Sequence, residues 1–164
     1  MRGRGTRAER IYAGGFCEGD ENAAYAGKRA YFLLICPEEG VSSRECFRLY
    51  DKRQMTYPAA TERAIACFKA GDSGGLGAAI KNDLTEAACE LAPCVKRAIE
   101  EAASFSPLGY GMTGSGSAAF ALFDSREMLD WAKSRYKGRF RTIAAESEYP
   151  LKKPWLFAPV QKGQ

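Results

Sequence analysis

The run Ala30 to Cys36 is continuously apolar and is stopped by Pro37. A short apolar block ended by a proline reads as a buried strand. Gly40-Val41-Ser42-Ser43 then breaks the chain, and Ser42 or Ser43 is placed to cap a helix, with Glu45 complementing its N-terminal dipole. That helix is predicted to reach about Lys52, with Cys46, Leu49 and Tyr50 on one face. A second helix is expected from about Pro58 to Ala70, with Ala64, Ile65 and Phe68 at helical spacing. Gly71 to Gly77 reads as a flexible break. Asn82-Asp83-Leu84 opens a third helix carrying Leu84, Ala87, Ala88 and Leu91 on one side. Pro93 starts a fourth at its first turn, where the missing N–H costs nothing, with Val95, Ile99 and Ala102 inward. Residues 117–123 read as a strand, Ser125 caps a fifth helix, and Phe140 to Ala145 form a last strand. An entry strand is expected around Ile11 to Ala13. The order predicts an α+β fold, with helices on one face of a mostly antiparallel sheet of about four strands. The expected domain is 1–148, followed by an irregular tail, 149–164, that contains Pro150, Pro154 and Pro159.

Between the fourth helix and the strand lies Gly109-Tyr110-Gly111-Met112-Thr113-Gly114-Ser115-Gly116-Ser117. It is read here as a loop. Glycine lacks the Cβ that keeps a ligand from the main chain, so such a segment can bring N–H groups close to an anion. A tight turn alone rarely needs so many glycines. Gly109-x-Gly111-x-x-Gly114 formally fits a dinucleotide fingerprint, but that motif should open a helix, and the residues after it are strand-like. Gly114-Ser115-Gly116 has the wrong spacing for a nucleophile elbow.

Composition narrows the chemistry. The chain has 164 residues, a net charge of +4 and no histidine. Without histidine, proton transfer near neutral pH would fall to Asp, Glu, Lys or Tyr. Cys17, Cys36, Cys46, Cys67, Cys89 and Cys94 form no Cys-x-x-Cys pair, so no metal site is expected and the thiols read as small apolar groups. Arg2, Arg4, Arg7 and Arg10 form one basic cluster; Lys133, Arg135, Lys137, Arg139 and Arg141 form another. Both read as solvated surface, without the interleaved aromatics of nucleic-acid binding. No run approaches a membrane span and no secretory signal is visible, so the expectation is a cytoplasmic protein with no membrane and no nucleic-acid partner.

Five landmarks, taken in order, carry a resemblance. They are Arg2-Gly3-Arg4-Gly5; Pro37 with Gly40-Val41-Ser42-Ser43-Arg44-Glu45; Asn82-Asp83-Leu84; Met112-Thr113-Gly114-Ser115-Gly116-Ser117; and Ala119-Phe120-Ala121-Leu122-Phe123-Asp124. Together they resemble the C-terminal half of GHMP-type small-molecule kinases. Thr6 departs from that pattern, which has an acidic residue there, and the last twenty residues match nothing in it. The resemblance implies a ferredoxin-like α+β domain. It also implies an ATP- and Mg2+-dependent kinase of isoprenoid synthesis acting on a small-molecule substrate, a cytidine-diphosphate-linked sugar alcohol. The phosphate loop and the catalytic Asp and Lys belong to the family's N-terminal domain. The chain itself is therefore expected to hold no catalytic residue and no cofactor alone. Gly111, Thr113, Gly114, Ser115, Gly116 and Ser117 would support the phosphate loop, and Ser43 would stand near substrate. The implied partner is an N-terminal kinase domain, or a second copy meeting an exposed face. The alternative is a stand-alone ligand-binding or protein-interaction module derived from such a domain.

Overall fold

The computed structural model describes residues 29–52 and 60–147. The expected entry strand at 11–13, the Arg2-Gly3-Arg4-Gly5 landmark, the basic cluster of Arg2 to Arg10, Cys17 and the tail from 149 lie outside the described residues.

Four antiparallel strands form one sheet: β1 (Tyr31–Cys36), β2 (Gly109–Met112), β3 (Ala119–Phe123) and β4 (Arg141–Glu146), in spatial order β2-β3-β1-β4. β1 lies at the centre, with Leu33 opposite Ala121 on β3 and opposite Ala144 on β4. This order, with helices between β1 and β2 and between β3 and β4, is the split βαβ arrangement of ferredoxin-like folds. Both neighbours of β1 run against it, so every strand is joined by a hairpin or by a helical return.

Alternation along the strands places Leu33, Ile35, Ala119, Ala121 and Phe123 on one face. The face is covered by α5 (Pro93–Ala103) through Ala98 and Ala102, and by α6 (Arg126–Arg135) through Leu129 and Ala132. Alanines at these helix positions let the backbones come close to the sheet. On its other side α5 contributes Val95 and Cys94 to a second cluster with Cys46 of α1 (Ser43–Lys52), with Ala87 and Ala88 of α4 (Thr85–Leu91), and with Met112. Two helices start where the sequence places them. Pro93 opens α5, and Ser125 caps α6 by accepting the Met128 N–H at 3.2 Å.

Two expectations are corrected. Residues 109–112 are not loop: they pair with β3, Gly111 opposite Phe120 and Met112 opposite Ala119. The strand expected at 117–123 accordingly begins at Ala119. The stretch 71–77 is not a flexible break either. It leads into a short helix, α3 (Ser73–Ala78), which follows α2 (Ala60–Ala70) and is capped by Asp72 accepting the Gly75 N–H at 2.8 Å. The two corrections meet at one contact. A Cβ on Gly77 would collide with the Leu108 carbonyl, and one on Gly109 would lie 2.6 Å from the Gly77 Cα. These glycines are there because helix and strand backbones touch.

Candidate functional site

The β2–β3 connection, Thr113 to Ala118, is built from its own hydrogen bonds outward. Thr113 N–H donates to the Ala118 carbonyl at 2.9 Å, and Gly116 N–H donates to the Thr113 carbonyl at 3.1 Å. Gly114 and Gly116 take φ of 60° and 92°, values that side chains with a Cβ rarely adopt. Gly114 has open space around it, whereas a Cβ at Gly116 would lie 3.0 Å from the Met112 sulfur and 3.3 Å from Val41. Among the described residues, the amides of Gly114, Ser115 and Ser117 donate to no protein acceptor.

Two distant segments fix this tip. Asn82 Nδ2 donates to the carbonyls of Met112 at 2.9 Å and Gly114 at 2.8 Å, while its Oδ1 accepts the Leu84 N–H at 3.0 Å. The start of α1 supplies the other. Ser42 is the helix cap: its carbonyl accepts the Cys46 N–H at 2.9 Å and its hydroxyl sits 3.4 Å from the Glu45 N–H. Ser43 is thereby released from capping, and its hydroxyl lies 2.6 Å from that of Ser115. α1 is held in turn by its buried face, where Cys46 Sγ lies 3.7 Å from the Leu84 carbonyl; burial pushes that thiol's pKa up.

The residues singled out from the sequence are thus partly gathered. Ser43, Gly114, Ser115 and Gly116 meet at the tip. Thr113 is exposed beside them, and Ser117 is buried beneath. Gly111 sits in β2, away from the tip, and lines an open cleft of about 300 Å3 with Ile80, Lys81, Asn82, Asp83 and Tyr110. The Lys81 ammonium stands 3.7 Å from the Asp83 carboxylate in that wall. Asn82 was visible in the sequence only as a landmark and a helix opener; its two loop acceptors lie 30 and 32 residues away, and no local spacing signals them.

The chemistry available at the tip is donation. Loop amides without a protein acceptor among the described residues and two hydroxyls lie beside the start of a helix, an arrangement suited to anionic oxygens. A nearby cation, the exposed Arg44, stands on the second residue of α1. Among the described residues no three His, Cys, Asp or Glu side chains gather as metal ligands.

Residues 64–140, which include Asn82 and the whole β2–β3 hairpin, match the family model described as GHMP kinases C terminal. Over that segment the chain is similar to a GHMP kinase C-terminal domain. A curated relative, the 4-diphosphocytidyl-2-C-methyl-D-erythritol kinase of Carboxydothermus hydrogenoformans, is 34% identical over 110 residues, covering 66% of this chain and 37% of the relative. The chain therefore spans well under half the length of that enzyme. Among solved structures, a 4-(cytidine 5'-diphospho)-2C-methyl-D-erythritol kinase superposes with a TM-score of 0.59 at 20% identity, over 74% of this chain and 44% of that one. Homoserine kinase from Cytophaga hutchinsonii gives 0.56 at 17% identity, over 73% and 41%. At such identities the superpositions speak for the fold, which is that of the GHMP C-terminal domain. No helix among the described residues is long and apolar enough to cross a membrane.

Proposed function

We propose that this GHMP domain is the substrate-side part of a cytoplasmic kinase that phosphorylates 4-diphosphocytidyl-2-C-methyl-D-erythritol with ATP and Mg2+. The tip of the β2–β3 hairpin and the start of α1 form a surface that meets the phosphate loop and its bound phosphates. The observation that carries the reading is the 2.6 Å approach of Ser43 and Ser115, which joins the helix start and the loop into one donor surface. The amides of Gly114 and Ser115 and the hydroxyls of Ser43 and Ser115 fit phosphate oxygens. They orient and hold; none is placed to accept the proton of an attacking hydroxyl. Bound ATP supplies the transferable phosphoryl group. The phosphate loop and the catalytic Asp and Lys come from an N-terminal kinase domain, and Mg2+ is assigned to no residue of this chain. Phosphoryl transfer is chiefly positioning and charge stabilisation, so a domain that only shapes the cleft still contributes to rate.

The test is reconstitution. The full chain is mixed with the separately expressed N-terminal domain of the Carboxydothermus enzyme, and phosphorylation of the cytidyl substrate by ATP is followed. Activity above that of either part supports the reading. No gain, with both parts folded and shown to associate, counts against it.

A further inference from the structure

We infer that Asn82 is a positioning residue that sets the direction in which the loop amides point. This rests on the phosphate-side reading of the tip for its purpose, but not for its geometry. In a trans peptide the C=O and the N–H of the next residue lie in one plane and point opposite ways. Asn82 Nδ2 draws the Gly114 carbonyl toward itself at 2.8 Å, so the Ser115 N–H is turned away from Asn82. Its second hydrogen draws the Met112 carbonyl at 2.9 Å, which turns the Thr113 N–H toward its acceptor on Ala118. Oδ1 accepts the Leu84 N–H at 3.0 Å, so both ends of the amide are engaged and its flip state is fixed by three partners. One side chain thereby ties the start of the α4 segment to both sides of Thr113. Gly114 lies in the left-handed region, and a Cβ there would meet nothing within 4 Å. Without the clamp, the loop's two internal bonds, from the Thr113 and Gly116 amides, are left to hold it and open more often, and the Gly114–Ser115 peptide loses the bond that orients its carbonyl.

The experiment is amide hydrogen exchange on the full chain with Asn82→Asp. That variant keeps the shape and the acceptor for Leu84 but places a carboxylate against two carbonyls. Protection of the Thr113 and Gly116 amides is expected to fall about tenfold or more at neutral pH, while Leu33 and Ala121 in the sheet keep theirs. Acidification restores a donor to the introduced carboxyl, and part of the protection is expected to return as pH falls through about 4; the parent protein shows no such recovery. Asn82→Ala, read by the same protection ratios, should lose protection without the pH-dependent return. Unchanged protection at Thr113 and Gly116, or an equal fall across the sheet and the loop, overturns the clamp. Because no ligand enters this measurement, its failure is separate from failure of the reconstituted kinase.

Discussion

The connection from α6 to β4 and the connection from β2 to β3 are both short and both contain glycine, yet they are anchored in different ways. Between α6 and β4, Tyr136 donates its hydroxyl to Glu101 at 2.6 Å and accepts the Phe140 N–H at 3.1 Å. Its ring packs near Phe105, which meets Trp131 edge-on at 6.1 Å between centroids. Burial, and then the bond to Glu101, push the tyrosine up to about 12. Between β2 and β3 the amides of Gly114, Ser115 and Ser117 find no protein acceptor among the described residues. The first connection is anchored by its own tyrosine hydroxyl, which both donates and accepts. The second is tied to a distant segment by Asn82 and carries the exposed Ser43–Ser115 hydroxyl pair at its tip, which suits a partner's anionic group.

That contrast can be broken at either end. The largest stability effect is expected at Gly116, where φ is 92° and a Cβ would press on Met112 and Val41. Gly116→Ala should destabilise the domain by about 2–3 kcal/mol, read by urea denaturation. Tyr136→Phe comes next, at about 1–2 kcal/mol, because it removes a donor to Glu101 and an acceptor for Phe140 together. It also has a pH signature. A folded-state pKa raised above the free value of 10 gives stability that is fully present below pH 10 and is lost as pH rises toward about 12. Parent and variant should therefore converge in urea midpoint between pH 10 and 12. A constant difference across that window would remove the role given to the hydroxyl.

Two smaller effects sharpen the functional half. Gly114→Ala should cost about 1–2 kcal/mol from the left-handed backbone alone, since nothing stands within 4 Å of the new methyl. Ser115→Ala should change stability by less than about 0.5 kcal/mol, because the hydroxyl pair is exposed. Its reconstituted kinase activity should nevertheless fall several-fold, about 1 kcal/mol in the barrier. Stability and activity are thus expected to separate at the tip and to move together at Tyr136.

Much of the architecture could be read before any coordinates. β1, α1, α5 and α6 have local signals: an apolar run before Pro37, serines before α1 and α6, and proline at the first turn of α5. β2 could not be read that way. Gly-Tyr-Gly-Met has little preference for an extended chain, and its strand state comes from pairing with β3 and from the close approach of Gly77. α3 was hidden for the same reason: its glycines are poor helix formers, retained because helix and strand backbones touch. At the site, the glycines and serines of 111–117 could be named from their small size and polarity. The Ser43–Ser115 pair, 72 residues apart, and the Asn82 clamp exist only once the chain is folded.

The most direct test of the account is a titration of the isotope-labelled full chain with inorganic pyrophosphate, followed by amide resonances. The account predicts that Gly114, Ser115 and Ser117 shift together and saturably, while Tyr136 to Phe140 stay in place. Shifts confined to the basic residues from Lys133 to Arg141, or none at the hairpin tip, would contradict it.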